Sequence, residues 1–362
     1  MDSTELGAFL VLSASGLSPI RQVSLVDALG SARSVLAADN NALAAVEGIS
    51  SAHVSKLRSA QQHQDPDELI GRCEQFAVVP VPYTSPEYPP RLKQIAGFPP
   101  LLYVQGRLDQ RDEVSVAIVG TRKCSPYGLT MARRLSEGLA RRGFTVVSGL
   151  AVGIDAEGHE GALEAGGRTI AVMATGADST YPSEHRGLRG RIAQSGAALT
   201  EFAFGTPPLR ERFPARNRII SGLSLGVIVV EAPLKSGALI TARLAGEQGR
   251  DVFAVPADVT RPEGRGCHAL IKDGAVLVEC AEDVVEGLGI LLQAVPERQQ
   301  VSPEDLSEDE QAVISGLSYQ PRHVDEVVGR CRLPASKVTA NLMILEMKGL
   351  VRRLPGSTFV RL

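Results

Sequence analysis

The chain of 362 residues contains no tryptophan and only 4% aromatic residues. Any recognition surface must therefore rest on backbone, arginine and a few phenylalanines and tyrosines. Neither charge is in large excess: 38 Lys and Arg stand against 41 Asp and Glu, a formal net charge of -3. That balance excludes a uniformly basic coat but leaves room for a local basic patch. The five cysteines (Cys73, Cys124, Cys267, Cys280 and Cys331) are far apart and never spaced C-x-x-C. This fits free thiols in a reducing compartment better than zinc ligands or disulfides. No apolar run approaches the length of a membrane span, and the short one near the start lacks a basic flank. A soluble, cytoplasmic protein without membrane contact is expected. No G-x-x-x-x-G-K-[ST] loop occurs, so P-loop nucleotide hydrolysis is unsupported.

What is present is ample apolar material, 44% of the chain, over a length that suits two or three domains. Residues 1–75 are rich in Ala, Leu and Ser and read as helices joined by Gly-containing turns. The turn Val46-Glu-Gly-Ile-Ser50 resembles a helix-hairpin-helix or sterile-alpha-motif (SAM) module, with a plain helical bundle the alternative. Residues 76–105 are proline-rich and read as an extended connector. From residue 106 to 292, apolar runs alternate with helical segments: Val114 to Gly120, Phe144 to Ser148, Thr169 to Ala174, Ala198 to Phe202, Leu225 to Glu231, Val252 to Pro256 and Ala275 to Val278. Continuous apolar runs in this rhythm imply an α/β fold, a doubly wound and mostly parallel sheet with ligands at the carboxyl ends of its strands. Residues 293–305 are polar and acidic, a linker. Residues 306–362 give three helices and a Pro-Gly hairpin, the winged-helix order, a module that docks on DNA or on proteins.

The loops of the central domain carry the chemistry. The first turn, Gly120-Thr121-Arg122-Lys123-Cys-Ser125, is not G-x-G-x-x-G, which counts against a dinucleotide pyrophosphate and leaves a turn suited to holding a phosphate. The second, Ser148-Gly149-Leu-Ala-Val-Gly-Ile-Asp155, permits close approach of a backbone or base. Asp155 and His159, four apart, read as a structural pair more readily than as a metal site, since no third ligand is near. Phe213-Pro-Ala-Arg216-Asn217-Arg218 places two arginines at the start of a helix, and Lys235-Ser236-Gly237 with Thr241 suits an oxyanion. Phe213 is equally a base-stacking residue or a core residue. Six Lys or Arg against two Asp or Glu lie between Gly205 and Arg243, so overall acidity conceals a basic strip, with Arg210 placed in it by charge. Several phosphate-friendly loops without an acid–base or metal set suit a polyanion better than a nucleotide.

The ordered set Ile118-Val-Gly-Thr-Arg122, Ser148 to Asp155 with His159, Tyr181-Pro182, Phe213 to Arg218 and Ser236-Gly-Ala-Leu-Ile-Thr241 resembles the DNA-processing protein A (DprA, or Smf) family. The resemblance covers roughly residues 88 to 280. It implies a Rossmann-like core that binds single-stranded DNA, forms a homodimer and loads a RecA-type recombinase onto strands taken up in natural transformation or coated by single-strand-binding protein. It also implies no catalysis and no cofactor. By motif position, Arg122 and Arg216-Asn217-Arg218 become the principal DNA contacts and Phe213 a stacking residue. Lys235, Ser236, Gly237 and Thr241 become phosphate-side contacts, and the Gly149 loop lines the pocket. Two rivals remain. One is a Rossmann-like phosphoribohydrolase acting on a nucleoside phosphate, although the Pro-Gly-Gly-x-Gly-Thr loop of such enzymes is missing. The other is a winged-helix factor reading duplex DNA, which leaves the central strip unexplained.

Overall fold

Strands of four or five residues that are apolar throughout can leave neither face in water, and the computed structural model buries them on both sides. It describes residues 3–289, 306–317, 322–331, 333–347, 350–354 and 356–361; the expected linker at 293–305 lies outside them. The chain divides into two units, Met1–Leu291 and Leu292–Leu362.

The first unit opens with six helices: α1 (Ser3–Ala14), α2 (Pro19–Leu29), α3 (Ala32–Ala37), α4 (Asn40–Ala44), α5 (Ser51–His63) and α6 (Pro66–Gln75). Apolar from Ala8 to Leu12, α1 is surrounded by its neighbours, with Leu25, Leu43 and Leu57 packed about it. The strands are β1 (Val78–Pro82), β2 (Leu101–Gly106), β3 (Ser115–Val119), β4 (Thr145–Ser148), β5 (Thr169–Val172), β6 (Ala197–Thr200), β7 (Gly226–Val229), β8 (Asp251–Ala254) and β9 (Val276–Leu277). Between and after them run α7 (Pro126–Arg141), α8 (Ile154–Glu164), α9 (Arg186–Ser195), α10 (Arg212–Leu223), α11 (Gly237–Glu247), α12 (Arg265–Lys272) and α13 (Ala281–Gly287).

These strands form one nine-stranded sheet in the order β1-β2-β6-β5-β4-β3-β7-β8-β9. All pairs from β6 to β9 are parallel. On β5, Ile170 and Val172 face the core shared with Ile219 and Leu223 of α10, whereas Ala171, with Met173 just past the strand, faces Leu188 and Ile192 of α9. Helices on both faces make this the doubly wound arrangement. The chain adds strands outward from β3 on one side, then returns to begin the other side with β7, so the switch point lies between β3 and β7.

The proline-rich stretch departs from the connector expected of it. Its two ends are strands β1 and β2, paired antiparallel with each other, and β2 pairs antiparallel with β6. Pro80 and Pro82 are tolerated because β1 is the outermost strand, with one neighbour to satisfy. Leu101 and Tyr103 of β2 enter the helical core while Leu102 and Val104 enter the sheet core. Tyr103 also meets the Ser13 hydroxyl at 2.6 Å, tying α1 to the sheet.

In the second unit, α14 (Glu308–Gly316), α15 (Val324–Cys331) and α16 (Ala335–Met347) enclose a core with Val313, Val327, Val338, Leu342 and Leu345. A three-stranded sheet of β10 (Arg322–His323), β11 (Val351–Leu354) and β12 (Thr358–Arg361) runs in the order β10-β12-β11. This is a winged helix. Among the described residues no helix is long and apolar enough to cross a membrane.

His159 of α8 shows what this packing does to a titratable group. The Thr169 hydroxyl donates to the Val146 carbonyl at 2.7 Å, so it accepts from His159 Nδ1 at 2.6 Å. Nε2 is then the unprotonated nitrogen, and it is buried without a partner. Burial, with His185 and Arg216 adding to it, pushes the imidazole pKa down to about 3. The folded chain resists protonation that the unfolded chain accepts below about 6.5, so this contribution is complete above that pH and is lost as pH falls from there toward 3. It amounts to a few kcal/mol at most. Replacing His159 with Gln should flatten the pH dependence of unfolding free energy between pH 6.5 and 3, measured by urea titration across that range.

Candidate nucleic-acid interface

Because every strand from β3 to β8 runs the same way, the loops that follow them emerge along one edge of the sheet. Gly120, at the first of these, lies against Ile154, where an added Cβ would stand 2.5 Å from that side chain. The Thr121 amide donates to the Glu231 carbonyl at 2.7 Å, linking the β3 and β7 loops across the switch point. The Glu231 carboxylate is buried and accepts from the Ser125 amide at 2.7 Å and the Ser125 hydroxyl at 2.8 Å. It also lies so close to Gly128 that a Cβ there would meet Oε2 at 2.3 Å. The start of α7 therefore already holds an anion. The expected phosphate position at this turn is taken by the protein's own carboxylate.

The second loop is fixed from inside. Ser148 is buried and its hydroxyl donates to the Ile118 carbonyl at 2.6 Å, and the Gly149 amide donates to Asp155 at 3.1 Å. Beneath Gly149 lies the guanidinium of Arg216, which donates from Nη1 to the Val172 carbonyl. Arg216 is buried, its Nε unpartnered. Desolvation pushes its pKa down to about 10, against the pull of Asp155 and with the repulsion of Arg122. Asp155 answers in kind: burial raises its pKa, while Arg216 and the amides of Gly149 and Ala151 oppose the rise.

The structure thus departs from the expectation at the Arg-Asn-Arg motif. Arg216 supports the floor of the loop, and Arg218 is committed to Glu201 at 2.5 Å, both side chains mostly buried. Burial raises the Glu201 pKa and Arg218 counters it. Asn217 reaches the Gly237 carbonyl at 3.5 Å, bringing α10 to the start of α11. There the Ser236 hydroxyl caps the Ala238 amide at 3.2 Å and Thr241 is buried, while Lys235 and Gly237 are exposed. Arg122, Lys123 and Arg210 are likewise exposed.

What the edge does assemble is a cleft of about 120 Å³ lined by Arg122, Gly149, Val152, Tyr181, Pro182 and Phe213, with Ala151 and Ala174 at its base. The Arg122 guanidinium stands 4.9 Å from the centre of the Phe213 ring. That ring meets Tyr181 edge to face at 5.7 Å. A cation held over one aromatic and backed by a second offers a flat, electron-rich ring somewhere to lie and its anionic neighbour a charge. Tyr181 and Ala174 were not marked as binding residues by sequence reasoning, whereas Val152 belongs to the Gly149 loop expected to line the pocket. The strand rhythm placed the loop after β5 on this edge, but no charge in it drew attention. Asp155 and His159 turn to different partners, the Gly149 amide and Thr169. No group of three or more His, Cys, Asp or Glu able to hold a metal occurs among the described residues.

Residues 80–289 match the family described as DNA recombination-mediator protein A, and residues 297–357 match the DprA winged helix domain. The chain belongs to the DNA recombination-mediator protein A family. Protein Smf of Synechocystis sp. is 36% identical over 355 residues, which cover 88% of this chain and 89% of that one. Among solved structures, DprA of Streptococcus pneumoniae superposes with a TM-score of 0.68 at 33% identity, over 79% of this chain and 98% of that one. DNA processing protein A of Helicobacter pylori, solved for its single-stranded DNA binding mode, gives 0.52 at 30% identity over 58% of this chain and 95% of that one.

Membership in the family does not distinguish cations that support this edge from cations that are free, but stability does. Removing Glu201 strands Arg218 in a desolvated site, so Glu201→Ala should lower the unfolding free energy by about 3 kcal/mol. Arg122→Ala, at an exposed position, should change it by no more than about 0.5 kcal/mol. Equilibrium denaturation of the two variants checks the contrast.

Proposed function

We propose that the protein binds single-stranded DNA along the carboxyl edge of its sheet and acts as a recombination mediator without chemistry of its own. The observation that carries this reading is the Arg122–Phe213–Tyr181 cleft, which pairs a cation with stacked aromatics. Such a combination takes bases irrespective of sequence, because every base has a flat face, and takes the backbone through its charge. The exposed Lys123, Arg210 and Lys235 extend the positive edge on neighbouring loops. Gly120, Thr121, Gly149, Ser236, Gly237 and Asn217 shape the backbone that the strand passes. Ser148, Arg216, Arg218 and Thr241 serve the same site from beneath, by holding its loops in place.

The family suggests the wider role: protecting an incoming strand in the cytoplasm, cooperating with single-strand-binding protein and handing the strand to a RecA-type recombinase as a homodimer. The Helicobacter pylori relative, solved for its single-stranded DNA binding mode, supports the choice of ligand. A phosphoribohydrolase is disfavoured by Glu231, whose two oxygens are occupied by Ser125 at the start of α7.

Gel-shift titration of a homopolymer single strand beside the matching duplex, with nucleotide hydrolysis followed in parallel, tests the proposal. Tight single-strand binding without hydrolysis is expected. Arg122→Ala should lower the slope of log affinity against log salt by about one unit, since one phosphate loses its partner. Phe213→Ala should leave that slope unchanged and weaken binding about tenfold. An Arg122→Ala variant with the parent slope would count against the cleft.

A further inference from the structure

The carboxyl edge has an apolar pattern as regular as its charge. Past each strand from β3 to β8, in the loop or, for Tyr127, in the first turn of α7, one large apolar or aromatic side chain is exposed: Tyr127, Val152, Tyr181, Leu209, Leu234 and Val259. Among the described residues these are half of the large hydrophobic side chains that are exposed. Phosphates alone would gain nothing from them, whereas bases would.

One of the six stands in a second cleft. On the far side of the switch point, Tyr127, Pro256, Ala257, Asp258 and Arg261 line an open cavity of about 530 Å³ with Glu231 at its base. The Tyr127 hydroxyl donates to the Pro256 carbonyl at 2.9 Å, fixing a ring that remains 42% exposed. Arg261 is exposed, its backbone amide held by the Asp258 carbonyl at 3.0 Å. Two carboxylates in the lining disfavour a phosphate there, and the start of α7 is already filled by Glu231. A flat neutral ring with amino groups at its edge fits the cavity better, with the neighbouring phosphate outside against Arg261. The two clefts are joined through the chain, since the loop after β3 supplies Arg122 to one and leads through the exposed Lys123 into the first turn of α7, which supplies Tyr127 to the other.

We propose that Tyr127, Pro256, Ala257 and Arg261 form a second nucleobase site, so that one strand crosses the switch point with bases turned toward the protein in both clefts. This rests on the single-strand reading above and adds the direction of the strand's path along the edge. The loops after β4 and β8, one in each cleft, leave strands three spacings apart, or about 14 Å.

The test is affinity of the full-length protein for oligodeoxycytidylates, whose bases carry an amino group at the edge, lengthened one nucleotide at a time and followed by fluorescence anisotropy. The parent protein should gain affinity in two stages as first one cleft and then the other is reached. Tyr127→Ala and Arg261→Ala should match it on the shortest strands that bind and fall about tenfold short on the longer ones. Tyr127→Phe, which keeps the ring, should follow the parent. Abasic positions in the added segment should reduce the parent to the level of Tyr127→Ala. The proposal is overturned if both Ala variants follow the parent throughout or lose affinity equally at every length. It is also overturned if they change sedimentation but not strand affinity, which would make the cleft a contact between copies. Failure of the parent protein to bind any strand would instead remove the single-strand reading beneath it.

Discussion

A guanidinium shut away from solvent lies beneath the carboxyl edge of the sheet. Arg216 lies under Gly149, in the field of Asp155, and donates to the end of β5 through the Val172 carbonyl. A charge in that position is costly unless its surroundings are fixed. Here the surroundings are the loops after β4 and β5, the two that form one wall and the floor of the aromatic cleft. Gly149 has no side chain because an added Cβ would stand 2.3 Å from Arg216 Nη1. The loop therefore settles directly on the arginine, and the cleft above takes its depth from that contact.

The same economy governs the other side of the switch point. In doubly wound sheets the first helix after the first strand is a natural anion site, because its free amides and its dipole converge there. This chain fills that site with Glu231, for which the bare Cα of Gly128 leaves room. A fold used elsewhere for small phosphorylated ligands is thereby left with its binding capacity on the outer surface of the loops.

Much of this architecture was legible beforehand, for definable reasons. Runs such as Val116 to Val119 and Gly226 to Val229 are apolar at every position because both faces are covered, and that signal survives in the sequence. The antiparallel edge was not legible. Proline argues against a strand unless the strand is known to be outermost, which is a property of the sheet and not of Val78 to Pro82. The Arg-Asn-Arg motif was visible as charge but not as buried charge, since the partners that decide the matter, Glu201 for Arg218 and Asp155 for Arg216, are distant in sequence. Tyr181 belonged to a recognised motif, yet nothing local distinguished a cleft-lining tyrosine from a surface one.

The doubly shared strand β2 has an effect on how the molecule can be divided. Leu101 and Tyr103 complete the helical core, while Leu102 and Val104 complete the sheet core. Neither portion keeps a whole interior if the chain is cut between them. The amino-terminal helices are thus less an appended module than the missing wall of the sheet, and melting of one should carry the other with it as a single cooperative event.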